Sequence, residues 1–410
     1  MDKEISKYKK GKVGLIPVTW NEKKIGDFAE TSSGGTPSRN IKEFYQGGTI
    51  NWFKTGELIS KYIYESEEKI TEKAIKETSA KIFPQDTILL AMYGASIGKL
   101  SILKKESATN QACCAILPND NYDTEYLYYQ LSFLKNRLIR KSAGAAQPNI
   151  SQNIIRNFTV PFPSKNEQRK IASILSVWDN AIELKEKLIE QKKELKKGLM
   201  QKLLTGELRL PGFDGEWKNE KIKNISNVFR GASPRPISDP KWFDEQSEIG
   251  WVRISDVTKS NKVLLQTEQF LSDEGVKKSR LVKKNNIIMS ICATVGKPII
   301  TGVDVCIHDG FVVFEDVQIN KDYFYYALLR KENHWKKYGQ TGSQMNLNTD
   351  IVGSEKILYP VDPFEQQAIA DILNTVDREI NLLESELEFI KEQKKGLLQL
   401  LLTGKVRVKV

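Results

Sequence analysis

The sequence predicts a tandem of two mixed α/β (α+β) globular domains, each followed by a long coiled-coil helix. The segment KKGLMQKLLTGELRL, Lys196 to Leu210, recurs as KKGLLQLLLTGKVRV, Lys394 to Val408. Apolar residues upstream of each copy fall at alternating spacings of three and four, as in a helix with one apolar seam. The blocks between, about 150 residues each, mix short β-rich runs bounded by Gly, Asn and Pro with helical stretches.

With 410 residues, the chain exceeds what one core usually organises. The first domain, 1–163, carries DTILLAMYG and ACCAILP as expected strands and TEYLYYQLSFLKNRLIRK as an expected helix. A helical spacer, 164–206, follows, with Ile171, Leu175, Trp178, Ile182, Leu199 and Leu203 on its seam. The second domain, 207–361, repeats the pattern with NIIMSICAT, GFVVFED and KDYFYYALLRKENHWKK. The C-terminal spacer, 362–410, presents Ile369, Leu373, Val376, Ile380, Leu397 and Leu401. Each helix spans about 40 residues, or about 60 Å, which suits a coiled coil in which the two copies partner each other. Pro161 and Pro163 precede the first helix and Pro360 and Pro363 the second, while Gly206 and Gly404 mark their ends. Lys192, Lys193, Lys196, Lys197 and Lys202 crowd the end of the first helix, where cations complement the macrodipole and a solvated face is expected.

The duplication reaches into the globular domains. Glu167 to Leu210 aligns with Glu365 to Val408 without a gap. More distantly, Trp20 aligns with Trp217, INWFKTGEL with IGWVRISDV, MYGASIGK with ICATVGK, and GAAQPNIS with GSQMNLN.

The net charge of +10 and pI near 9.1 favour an anionic partner such as nucleic acid. No apolar run approaches the roughly 18 residues of a membrane span, and the charged start MDKEISKYKKGK is unlike a secretory signal, so a cytoplasmic location is expected. Cys113, Cys114, Cys292 and Cys306 lack metal-ligand spacing, and no metal site is expected. Two histidines, His308 and His334, leave little material for acid/base chemistry. GASIGK has three residues between its glycines where a Walker A loop needs four, and Leu100 stands where the magnesium-binding hydroxyl belongs. Neither a GxGxxG fingerprint nor the Asn/Asp-Pro-Pro-aromatic loop of amino-methyltransferases occurs. Catalysis by this chain is not expected.

What both halves share is a polar, basic, turn-rich set suited to base edges and phosphates. In the first half it comprises Arg39, Lys54, Thr55, Lys99, Asn110, Gln147 and Asn149, together with Thr36, Ser38, Gln111 and Ser151. Its second-half counterparts are Arg235, Arg253, Lys297, His308, Gln344 and Asn346, with Ser233, Ser255 and Asn348.

The P-x-x-W-x-x-x-x-I-x-D pattern at Pro17 to Asp27, the GGTPSR loop, INWFKTGEL, GASIGK, QPNIS, the EQRKIASIL helix start and LLTG together resemble the specificity subunit of type I restriction-modification enzymes. The second half departs at ICATVGKP and SQMNLN. The resemblance implies two target-recognition domains held apart by antiparallel helices about a pseudo-twofold axis, each domain reading half of a split double-stranded DNA target. It implies as partners two methyltransferase (modification) subunits bringing S-adenosylmethionine, and restriction/translocase subunits using ATP and magnesium. No cofactor is expected in this subunit. Two basic domains on one spacer would set half-sites roughly one DNA turn, about 34 Å, apart. A self-contained restriction or methyltransferase enzyme would need catalytic motifs that are missing, and a coiled-coil adaptor without DNA would bind independently of salt and sequence.

Overall fold

The computed structural model describes residues 7–141, 149–337 and 347–410. Gln147, Gln344 and Asn346 lie outside them. The chain divides into two compact units, Met1–Lys185 with Glu386–Val410, and Glu186–Ser385. This division cuts across the sequence segments 1–163, 164–206, 207–361 and 362–410, because each long helix begins in one unit and ends in the other.

The helices run Lys165–Leu203 and Pro363–Leu402. The Ser164 hydroxyl accepts from the Glu167 N–H, and the Asp362 carboxylate accepts from the Phe364 N–H, filling orphan donors at each start. Gly206 and Gly404 take φ of 73° and 68°, a left-handed conformation that ends a helix at little cost to glycine.

Each unit contains the same strand layout. In the first, a five-stranded sheet runs in the order Thr31–Ser33, Cys113–Ile116, Ile88–Ala91, Leu100–Leu103, Tyr62–Ile63. A four-stranded sheet orders Lys69–Ile70, Ile50–Phe53, Ser107–Thr109, Ile82–Phe83. The second unit repeats both: Asn227–Arg230, Phe311–Glu315, Ile287–Ser290, Pro298–Thr301, Val263–Leu264, and then Gln269–Phe270, Gly250–Val252, Val305–Ile307, Arg280–Val282. Parallel and antiparallel pairs coexist in every one of these sheets.

The expected strands form within DTILLAMYG, ACCAILP, NIIMSICAT and GFVVFED, and their lack of apolar/polar alternation has a cause. Ile88 and Leu90 join a core with the helices of the unit, while Leu89 and Ala91 face a second core with Phe53 and Phe83. Both faces are buried, so both must be apolar. In the second unit Ile287 and Met289 separate from Ile288 in the same way. The expected helix TEYLYYQLSFLKNRLIRK instead breaks at Leu134 into Thr124–Phe133 and Lys135–Arg140, and its counterpart breaks at Lys331.

Packing explains the repeated helix ends. In the first unit Leu401 and Leu402, at the end of the second helix, share a core with Ile171, Ala172 and Leu175 at the start of the first, and with Trp20 and Tyr126. In the second unit Leu203 and Leu204 meet Ile369, Ala370 and Leu373. Antiparallel pairing within each unit follows. Val376 and Ile380 are buried, whereas Trp178, Ile182, Leu199 and Leu397 are half-buried.

Candidate nucleic-acid interface

Two kinds of site emerge, one repeated closely and one divergent. The repeated kind locks helix to domain. Glu167, at the start of the first helix, accepts two hydrogen bonds from Arg407, Nε to Oε1 at 2.7 Å and NH2 to Oε2 at 3.0 Å, and one from Trp20 Nε1 at 3.1 Å. In the second unit Glu365 takes the same fork from Arg209 at 2.8 and 3.0 Å, with the guanidinium over the Trp217 ring. Gln168 and Gln366 each accept from the backbone N–H of a domain-helix cap, Asp123 and Asn320, and donate to Pro163 and Pro360 carbonyls. Deeper along the helices, Lys61 reaches Glu125, Tyr129, Ser176 and Asp179, and Asp179 also pairs with Lys394. Lys262, Asp322, Tyr326, Asn374, Asp377 and Lys196 build the matching network. Lys192 and Lys193 likewise pair with Glu379 and Glu384 across the helices, so these lysines are bound up in the coiled coil.

The divergent kind gathers the sequence-predicted polar residues. In the first unit the GGTPSR loop, the end of strand Ile50–Phe53 and the Asn110–Gln111 turn meet. Trp52 Nε1 donates to the Gly35 carbonyl at 2.9 Å, Gly35 N–H to Thr109 at 3.0 Å, and Asn110 N–H to Phe53 at 3.0 Å. Gly34 permits this approach, since a Cβ there would stand 2.0 Å from the Thr109 carbonyl oxygen. Thr36 contacts Gln111, and Arg39 lies over the Tyr45 and Trp52 rings, 4.6 and 5.2 Å from their centroids. Lys54 and Thr55 are half-buried beside them, and the buried Asn110 Oδ1 has no hydrogen-bond partner among the described residues.

The second unit forms a groove of about 690 Å³ from Ser233, Arg235, Trp251, Arg253, His308 and Asp309 and their neighbours. Gly231 mirrors Gly34, with a Cβ there 2.1 Å from the His308 carbonyl oxygen. Arg235 and Arg253 are exposed. His308 Nδ1 accepts from the Gly310 N–H at 2.9 Å, an arrangement that places the proton of the neutral ring on Nε2, and burial holds the imidazole below its ordinary pKa.

Three described candidates fall elsewhere. Lys99 is exposed, beside Lys61, Tyr128 and Lys135. Its counterpart Lys297 turns inward and donates to the Thr258 and Ser260 carbonyls at 3.3 and 3.2 Å, capping the helix Ile254–Lys259. Lys99 and Lys297 thus differ in setting, because unfilled helix carbonyls capture the second. Asn149 is exposed, next to Ile150, whose N–H bonds Met92.

Sequence reasoning missed the acids. Glu68 bonds both Arg39 and Lys54, the latter at 2.9 Å, and these bonds hold its pKa down at about 2. Asp309 accepts from the Ser233 hydroxyl at 2.7 Å, which lowers its pKa, and lies 3.5 Å from Arg235. In each unit polar and basic side chains gather on an α/β domain that is held to paired helices.

A duplicated α/β domain locked to a pair of long helices is the class this geometry defines. The family described as type I restriction modification DNA specificity domain matches twice, at residues 17–194 and 214–392, and the chain belongs to that family as a type I restriction-modification specificity subunit. It is 29% identical to the type I restriction enzyme MjaIX specificity subunit of Methanocaldococcus jannaschii, over 98% of this chain and 97% of that one. Its fold is similar to the crystal structure of a type I S subunit from M. genitalium (TM-score 0.61, 18% identity, 93% and 96% of the two chains). It also resembles a chain from a structural study of type I complex assembly and conformational transition (TM-score 0.62, 15% identity, 95% and 99%). Among the described residues no helix is long and apolar enough to cross a membrane.

Proposed function

We propose that each unit reads one half of an asymmetric, bipartite DNA target, the first through Arg39, Lys54 and Asn110 and the second through Arg235, Arg253 and His308. The observation that carries this reading is internal to the chain: the helix-locking residues recur nearly unchanged while the polar clusters differ. Identical locks suit two copies of one partner, the methyltransferase subunits, and different polar clusters suit different half-sites. The methyltransferase subunits would supply S-adenosylmethionine, and restriction/translocase subunits ATP and magnesium, in the cytoplasm. The chain itself would recognise and scaffold without catalysing.

Arg and Lys can pair with guanine O6/N7, Asn with adenine N6/N7, and the charge of +10 supplies the phosphate attraction. The test is methylome sequencing of cells in which residues 1–163 are exchanged for those of a relative. One half-site should change and the other persist; a change in both would overturn the division of labour. An insertion after Leu188 should alter the unspecified gap and neither half-site.

A further inference from the structure

We propose that Glu68 is a specificity-determining residue of the first unit: its carboxylate fixes the donors of Arg39 and Lys54 and cancels charge that would otherwise draw non-specific phosphate. The inference rests on the reading of this polar cluster as a DNA site.

Glu68 is not a loose surface acid. Its carbonyl accepts from the Trp52 N–H at 3.2 Å and from the Ser66 hydroxyl at 2.5 Å, so the strand pairing of Ile50–Phe53 with Lys69–Ile70 sets its position. Its two oxygens divide the cations, Oε2 taking Arg39 NH1 and Oε1 taking Lys54 Nζ. Arg39 is thus held at one nitrogen and on its face by Tyr45 and Trp52, yet remains 53% exposed, which leaves other donors open for a base edge. A guanidinium held in place loses less freedom on binding and rewards one geometry over others.

Charge works in the same direction. The trio carries one net positive charge rather than two, and each phosphate neutralised by a protein cation contributes about 0.9 to the salt slope of binding. Masking one cation should therefore weaken non-specific attraction while leaving directional hydrogen bonds available.

The second unit is the internal contrast. There Gln269 occupies the register position opposite Trp251, and Arg253, the counterpart of Lys54, is exposed. The neighbouring acid, Glu268, pairs with Lys259. Asp309, 3.5 Å from Arg235, is the acid beside the basic loop there, so a carboxylate that bridges two cations from the neighbouring strand belongs to the first half.

The full chain, assembled with its methyltransferase subunits, would be titrated with a duplex carrying its mapped methylation motif and with a scrambled duplex, over a series of salt concentrations. Glu68→Gln should tighten scrambled-duplex binding several-fold, steepen its salt slope by about 1, and lower the cognate-to-scrambled ratio about tenfold. Glu68→Asp keeps the charge and should stay near the parental slope, which keeps the test decisive if the Gln variant folds poorly. An unchanged ratio and slope in Glu68→Gln, or equal slope changes in the Gln and Asp variants, overturns the inference. If the parental complex does not distinguish the two duplexes, the DNA-specificity reading fails instead.

Discussion

Truncation of Arg407 to Ala should loosen the first unit by about 2–3 kcal/mol, even though the residue lies at the chain's far end. Its guanidinium makes the two-pronged contact with Glu167, donates to Thr19 Oγ1 at 2.9 Å and lies over the Trp20 ring. Glu167 is 4% exposed, so the truncation strands a carboxylate whose remaining side-chain donor among the described residues is Trp20 Nε1. Removing one partner of a fully buried pair costs about 3–5 kcal/mol. Arg407 itself is 42% exposed, and water entering the gap reduces that to about 2–3 kcal/mol. Hydrogen exchange followed by mass spectrometry localises the effect: amides near Glu167 to Leu175 should open about 30- to 150-fold more readily in Arg407→Ala. Arg209→Ala should act on Glu365 to Leu373 and spare the first unit. An increase under fivefold, or equal effects in both units from either variant, would refute the argument.

Further outcomes follow from the same geometry. Gly34→Ala and Gly231→Ala each drive a Cβ into a carbonyl that belongs to backbone and cannot swing away, so each should cost about 2 kcal/mol or more and alter recognition of one half-site, read by thermal melting and methylome mapping. Lys61→Met leaves Glu125 and Asp179 without that ammonium at a position 12% exposed, and a loss of about 3 kcal/mol is expected from urea unfolding. For His308 the folded pKa lies below the unfolded one, so the unfolded state binds more protons as pH falls through about 6.5 and stability drops toward pH 5.5. Asp309 and Arg253 face the ring with opposing effects, and His308→Asn should remove this share of the pH dependence in urea titrations at pH 7.5 and 5.5.

The long helices, their seam and their termini were legible because each is a local pattern: an apolar residue every three or four positions, a proline before and a glycine after. The strands were legible as apolar runs, but their pairing was not, since Trp52 bonds Gly35 and Glu68 across separate loops and nothing local specifies that meeting. Glu68 and Asp309 escaped notice for a related reason. A search for cations and amides that touch nucleic acid passes over the acids that hold them. The break at Leu134 was hidden too, because LSFLKNRL keeps helical spacing through it. The setting of Lys297 was not legible either: its alignment with Lys99 is sound, but the carbonyls of Thr258 and Ser260 are a tertiary circumstance.

Comparing the halves position by position separates two selective pressures without any other sequence. Trp20 and Trp217, Glu167 and Glu365, Gln168 and Gln366, Asp179 and Asp377, Lys196 and Lys394, Leu203 and Leu401, and Arg209 and Arg407 are identical pairs, and they join helix to helix or helix to domain in each unit. Lys54 answers Arg253, Asn110 answers His308, and Gln111 answers Asp309, and these belong to the polar clusters. A duplication drifting freely would scatter its differences over both sets. The retained set also requires that the end of each helix complete the unit that the other helix begins, since Arg407 serves Glu167 and Arg209 serves Glu365. The repeated KKGL…LLTG segment is therefore fixed by what it closes, and the domains it closes are left free to differ.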